Sequence, residues 1–348
     1  MVLLHKKMKT FRTTEPLVVF GATGMLAGEL VFMNLAARLS ATVVLHSSSK
    51  ERLQGLKDEI EESGFGNDDL SIITTTDPDE ACAYGGRLFF AKSVRASRQS
   101  REEMLLHNAP MAAEIGRSIA RSPKPFRRVV CVSNPSDLMG LILLIHSGME
   151  PHRVISLSAL DTLRLRRSLS RRFGIDESRL GNAFTLGSHD ESMAPMLHGL
   201  RVGGDSLIEL GYGREDFQSL YKEVRKGGIN IYHLRGHTAY QSPAILALRM
   251  LFADDLEPFE LPFARYLHSD RYPHVFGSLP GRIDDRGAFH AKTAIHPLDL
   301  RGLNLAFASI AAQRDRLVEE GWLPDPDSWR PELQKKEDLI VTDPEPLC

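Results

Sequence analysis

Residues Val18–Leu30 read VVFGATGMLAGEL, and residues Val43–Arg52 read VVLHSSSKER. The first stretch passes from a short apolar run through Gly21 and Gly24 into a helix-like segment that holds Gly28. Glycines let the backbone turn tightly and approach a pyrophosphate, and a helix N-terminus offers that anion unpaired N–H groups and a positive dipole end. This reading predicts a strand–turn–helix in which Gly21, Gly24, Met25 and Leu26 cradle the diphosphate of a dinucleotide. The spacing is GxxGxxxG, with Ala27 where a third close-packing glycine is often found. Alone it is a weak motif, because an ordinary strand–turn–helix reads the same way.

The second stretch lies where a dinucleotide-binding chain normally carries an acid for the adenosine ribose hydroxyls. Here His46, Ser47, Ser48 and Ser49 hold that place, with Lys50 and Arg52 behind them. A carboxylate repels a 2′-phosphate, whereas hydroxyls and a cation accept one through charge-assisted hydrogen bonds. Ser47, Ser48 and Lys50 therefore point to NADP, with NAD as the other choice. The bland alternative is a helix N-cap followed by a solvated charged face.

Working outward, strand-like and helix-like stretches alternate through the first half. Strands are expected at Pro16–Phe20, Thr42–Leu45, Leu70–Thr74, Leu88–Phe90 and Val129–Val132. Helices are expected at Met25–Leu39, Lys50–Ser63 and Arg101–Ala120. That rhythm marks an α/β fold whose doubly wound parallel sheet is covered on both faces, a Rossmann domain. From about Met149 the pattern becomes mixed α/β, with long helices at Asp161–Phe173, Glu215–Lys226, Thr238–Phe252 and Leu300–Glu320. The expected organisation is an extension over 1–15, an NAD(P)-binding domain over 16–150, a catalytic domain over 151–322 and a tail over 323–348. The tail, rich in proline and acids, is expected to be poorly ordered or to pack on a neighbour.

The 348 residues carry a net charge of -2, which argues against a surface built for nucleic acid. Cys82, Cys131 and Cys348 are far apart and show no CxxC spacing. A disulfide framework or thiolate metal site is not expected, and a reducing, cytoplasmic location is the default. No run reaches the ~18–20 apolar residues of a membrane span. The run Leu138–Ile145 instead has the length of a buried helix segment.

Four further segments carry the chemistry: SVRASRQSREEMLLHN (Ser93–Asn108), VSNPSD (Val132–Asp137), ALDTLRLRRSL (Ala159–Leu169) and LGSHDESMAPM (Leu186–Met196). In order and spacing, behind a glycine turn, the chain resembles the malate/lactate dehydrogenase family from roughly Leu17 to Trp322. GHTAYQSPA (Gly236–Ala244) falls inside that resemblance. Each motif is modest alone, and the set is specific.

Reducing a 2-oxo acid needs a hydride donor, a proton donor that works near neutral pH and cations for the carboxylate. His189 suits proton donation because imidazole titrates near pH 7. The resemblance gives Asp161 the part of the carboxylate that orients this ring. It gives Arg164, one helical turn on, the part of the fork that grips the substrate carboxylate. Arg101 matches the loop arginine that polarises the carbonyl, and Asn134 the NPxD asparagine of the substrate and nicotinamide pocket. Arg95, six residues before Arg101, matches the arginine that malate-type members set against a distal carboxylate. The implied substrate is a dicarboxylate such as oxaloacetate/malate, used by a homodimer or homotetramer with no metal. Taken singly, each residue has a plainer reading: Asp161 as a helix cap, Arg95, Arg98 and Arg101 as loop charges, and Arg166, Arg167, Arg171 and Arg172 as a solvated helix face.

The pattern is broken in places. The loop between the two arginines reads ASRQS, and the usual His-Gly-Asp is His189-Asp190-Glu191. Two acids beside the proton donor favour its charged form, and would repel an anionic substrate if they reached the pocket. These departures keep two alternatives open: a specialised biosynthetic reductase of another 2-oxo acid, and an inactive nucleotide-binding scaffold or sensor.

Overall fold

Short β-rich runs and amphipathic helices alternate from Leu17 onward in the computed structural model, which describes residues 10–65, 69–93 and 101–342. The strands are β1 (Leu17–Phe20), β2 (Thr42–His46), β3 (Ser71–Thr75), β4 (Gly86–Phe90), β5 (Phe126–Cys131) and β6 (Val154–Ser156). Helices α1 (Met25–Ala36), α2 (Lys50–Glu62), α3 (Pro78–Cys82), α4 (Arg101–Arg121) and α5 (Ser136–Ser147) connect them. They are followed by α6 (Ala159–Phe173), α7 (Arg214–Arg235), α8 (Gln241–Leu251) and α9 (Pro297–Glu319).

Two units divide the chain. The first runs through Ile155 and takes back Tyr240–Phe259 and Ile283–Gly287, while the second holds Ser156–Ala239, Glu260–Arg282 and the described residues from Ala288 on. In the first, the strands lie in the order β6-β5-β4-β1-β2-β3. The pairs β1/β2, β1/β4, β2/β3 and β4/β5 are parallel. All four residues of β1 are fully buried, as expected of a strand covered on both faces. Leu138–Ile142 on α5 are buried in the same core. Because β1 is flanked by β2 and β4, the strand order reverses at its end, which is where such sheets bind ligands.

Charge enters this core at a pair of arginines. Arg87 on β4 and Arg128 on β5 are register neighbours, each 1% exposed. Arg87 Nε and Arg128 Nη1 both donate to Leu251 O, at 2.9 and 3.0 Å, capping the C-terminal end of α8. Asp254 accepts from both guanidinium groups, at 2.7 and 3.0 Å. Burial pushes the Asp254 carboxyl up, and the two arginines more than reverse this, holding it below the usual range.

In the second unit α6 and α7 close over Leu165, Leu169, Leu180, Phe217, Leu220 and Val224. Thr185–Leu186 and Ala194–Pro195 pair antiparallel as a hairpin, and Phe263–Leu267 pairs with Val275–Leu279. The tail differs from expectation. Through Thr342 it packs on its own unit, with Trp329 and Leu333 buried and Ile340–Thr342 paired parallel to Thr293–Ile295. Two large apolar side chains among the prolines drive this docking. Helix α7 also runs nine residues past the expected Lys226, to Arg235.

Candidate active site

The glycine turn is built as the sequence predicts. Gly21 sits at φ +81°, and a Cβ there would lie 2.7 Å from Lys92 N and 2.8 Å from Lys92 Cα. Only glycine fits. Gly21 N and Ala22 N donate to His46 O, at 3.0 and 3.1 Å, and the Thr23 and Ser47 hydroxyls bond at 2.9 Å. The turn is thereby tied to the end of β2. Gly24 precedes α1 and has no side chain to cap it, so the first-turn N–H groups around Met25 and Leu26 are offered to an anion. This turn, closed to any side chain at Gly21 and uncapped at the start of α1, fits a dinucleotide diphosphate. Gly28 is not needed for it, since a Cβ there would meet Ala22 O at 3.9 Å.

The serine run divides its work. Ser47 is buried against Thr23, and Ser49 caps α2 by accepting from Arg52 N at 3.2 Å. Ser48 and Lys50 are exposed. His46 is buried with its ring on Phe20, and burial, aided by Lys92, pushes its pKa down to about 4. Lys92, which the sequence reading does not single out, closes on Gly21 from the end of β4. Asn134 is exposed between β5 and α5, and its carbonyl accepts from Asn108 Nδ2 at 2.8 Å.

In the second unit the structure brings His189, Asp161 and Arg164 together. Asp161 lies in the first turn of α6, 1% exposed, so it is not the cap its position allowed. His189 lies in the loop of the Thr185–Pro195 hairpin. His189 Nδ1 is 2.5 Å from Asp161 Oδ2, and Arg164 Nη1 donates to Asp161 Oδ1 at 2.9 Å. Burial raises the Asp161 carboxyl, but His189 and then Arg164 outweigh it, and its pKa stays below the ordinary value. Asp161 is therefore ionised and can only accept, which places the ring proton on Nδ1. The contact with Asp161 is thus made by Nδ1 and not by Nε2.

Arg164 lies against α7 at Gly227 and Gly228. A Cβ on Gly227 would stand 2.9 Å from Arg164 Cδ, and one on Gly228 3.4 Å from Nη2. The sequence reading passed over these glycines. The available signal was a glycine pair inside a helical pattern, which marks a packing or functional need.

The two acids after His189 are accounted for differently. Asp190 Oδ1 accepts from the Ser188 and Ser192 hydroxyls, at 2.8 and 2.6 Å, and from Ser192 N at 2.7 Å. Its carboxylate is folded into its own turn, and Glu191 is exposed. Arg167, Arg171 and Arg172 form a solvated face, while Arg166 donates to Ala183 O at 3.2 Å. Arg95 and Arg98 lie outside the described residues. Arg101 opens α4, with its side chain outside the description. Among the described residues no group of three or more His, Cys, Asp or Glu stands ready to hold a metal ion. No described helix is long and apolar enough to cross a membrane.

Comparison with known proteins bears on the family and the fold. Residues 16–156 match the lactate/malate dehydrogenase NAD binding domain. The chain is 32% identical over 220 residues to the malate dehydrogenase of Chlorobium phaeobacteroides (strain BS1), covering 62% of this chain and 70% of that protein. A minor L-lactate dehydrogenase from Enterococcus mundtii superposes with a TM-score of 0.76 at 21% identity, covering 87% of this chain and 98% of that one. The malate dehydrogenase of Plasmodium falciparum gives 0.76 at 18% identity, with the same coverage of 87% and 98%. The chain belongs to the lactate/malate dehydrogenase family, as an NAD-dependent oxidoreductase acting on 2-hydroxy acids.

Proposed function

We propose that this enzyme interconverts a dicarboxylic 2-oxo acid such as oxaloacetate and its 2-hydroxy acid, with His189 as proton donor and acceptor. The observation that carries this reading is the carboxylate of Asp161 shared between His189 and Arg164. Gly21, Gly24, Met25, Leu26 and Asn134 would hold the dinucleotide, whose nicotinamide supplies or accepts the hydride. Asp161 orients the imidazole and favours the imidazolium before reduction, so that Nε2–H stands ready to protonate the oxygen that gains charge. Arg164 forks onto the substrate carboxylate. Arg101 stabilises charge developing on the carbonyl oxygen. Arg95 pairs with the distal carboxylate and selects the dicarboxylate over pyruvate.

Replacing His189 by Asn tests the assignment. Turnover should fall by roughly two to four orders of magnitude while dinucleotide affinity holds. Undiminished turnover would exclude His189 as the proton donor. A second reading, a reductase of another acidic 2-oxo acid, is favoured by the ASRQS loop and by Asp190–Glu191. Activity across a panel of 2-oxo acids separates the two, and a scaffold would turn over none of them.

The same reading assigns NADP as the preferred cofactor, through Ser48 and Lys50 exposed at the end of β2, with Ser47 behind them. The enzyme acts as a homodimer or homotetramer, which its sedimentation tests. A reducing cytoplasm suits Cys82 and Cys131, which are buried and form no disulfide.

A further inference from the structure

We propose that Thr162 and Thr185 are positioning residues for the Asp161–His189 pair, setting the register between the helix that carries the acid and the hairpin that carries the imidazole. The inference rests on the role given to that pair above. Thr162 Oγ1 accepts from Thr185 N at 3.0 Å and donates to Thr185 O at 3.3 Å. Thr185 Oγ1 donates to Asp161 O at 3.3 Å. Every polar group of Thr185 is thus turned toward Asp161 or its neighbour. Thr162 is 0% exposed and Thr185 2%, so water cannot replace these bonds.

A second tie closes a ring around the pair. Gly187, two residues before His189, exchanges both backbone bonds with Ser278: Gly187 N to Ser278 O at 2.9 Å, and Ser278 N to Gly187 O at 2.7 Å. The Ser278 hydroxyl meets the Ser158 hydroxyl at 2.7 Å. Ser158 is the residue before α6, where a serine ordinarily caps the helix with its own side chain. It makes no such bond here, and its hydroxyl goes to Ser278 instead. On the far side, a Cβ on Gly187 would lie 2.5 Å from Ala306 Cβ, so α9 closes that flank. Both ends of the 2.5 Å contact are therefore fixed from behind by buried hydroxyls that touch neither reacting nitrogen nor carboxylate.

Thr162→Val keeps the volume and removes the hydroxyl, leaving Thr185 N without its acceptor, and Thr162→Ser keeps the hydroxyl. The primary readout is the proton resonance of His189 Nδ1–H, shifted far downfield by a short bond to a carboxylate and assigned by its loss in His189→Asn. It needs no turnover, so it tests the positioning even if the wild type leaves oxaloacetate untouched, a result that would overturn the proposed activity instead. In Thr162→Val the resonance should be lost or move upfield. In the active enzyme kcat with oxaloacetate should fall about ten-fold or more, because a small misplacement of a reacting group costs up to ~100-fold. NADH affinity should stay within about two-fold, and Thr162→Ser should restore both readouts. Should Thr162→Val fail to fold, Thr185→Val gives the same reading through the bond to Asp161 O. An unmoved resonance in the folded valine variant overturns the proposal.

Discussion

Asp161 and Arg164 stand one turn apart on α6, and Arg164 Nη1 holds Asp161 Oδ1 at 2.9 Å while His189 holds Oδ2. One carboxylate therefore fixes both the proposed proton donor and the proposed anion fork. Asp161→Asn removes its charge from both. The amide also offers the ring an N–H where the imidazole needs an acceptor. The expected result is a fall in kcat of roughly two to four orders of magnitude together with a raised KM for the oxo acid. Steady-state kinetics beside a direct measurement of NADH affinity check this, and a variant within a few-fold of wild type would contradict it.

Gly227→Ala places a methyl 2.9 Å from Arg164 Cδ. The guanidinium must shift, so KM for the oxo acid should rise by about ten-fold or more while dinucleotide binding is kept. Gly228→Ala, meeting Arg164 at 3.4 Å, should do less. Equal effects from the two variants would separate these glycines from Arg164.

Those glycines also show where the sequence could be read and where it could not. The parallel sheet is legible because strands buried on both faces carry apolar runs: LVVF is the whole of β1, VVL the middle of β2 and LFF the end of β4. The glycine turn and the set His189, Asp161 and Arg164 are legible because residue type, order and spacing all carry chemistry. Helix α7 is misread past Lys226 because two glycines look like a stop. Arg164 packs against them and the helix continues to Arg235. Arg87 and Arg128 stand just before the expected strands Leu88–Phe90 and Val129–Val132, and nothing local marks them as buried, since their partner Asp254 is 126 residues from Arg128. The hydroxyl ring of Ser158, Thr162, Thr185 and Ser278 is illegible for the same reason: the types are common and the pairing is non-local.

Acid should destabilise the fold before its carboxylates protonate. Burial, then Lys92, holds His46 near a pKa of about 4. Burial, then His268 and Arg314, does the same for His274, also to about 4. Burial, then Arg265, holds His290 well below its usual value. The unfolded chain takes up these protons near pH 6.5 and the folded chain does not, so stability falls as pH drops from about 6.5 toward 4. Each of His46 and His274 should cost on the order of 1–2 kcal/mol between pH 7 and 5. Urea midpoints at the two values check it, and an unchanged midpoint would refute it.

Cofactor preference should answer to the end of β2. Ser48→Asp, or Lys50→Glu, sets a negative charge on an exposed site beside the proposed 2′-phosphate. The ratio of kcat/KM for NADPH over NADH should drop by about ten-fold or more in the double variant. An unaltered ratio would remove Ser48 and Lys50 from cofactor selection.

The most direct measurement is oxidation of NADPH and NADH with oxaloacetate, pyruvate and longer 2-oxo acids, run side by side on the wild type and His189→Asn. The account predicts fast turnover of oxaloacetate over pyruvate in the wild type, and its near-complete loss in the variant with dinucleotide binding intact. Tight dinucleotide binding with no turnover of any acid, or full activity in His189→Asn, would contradict it.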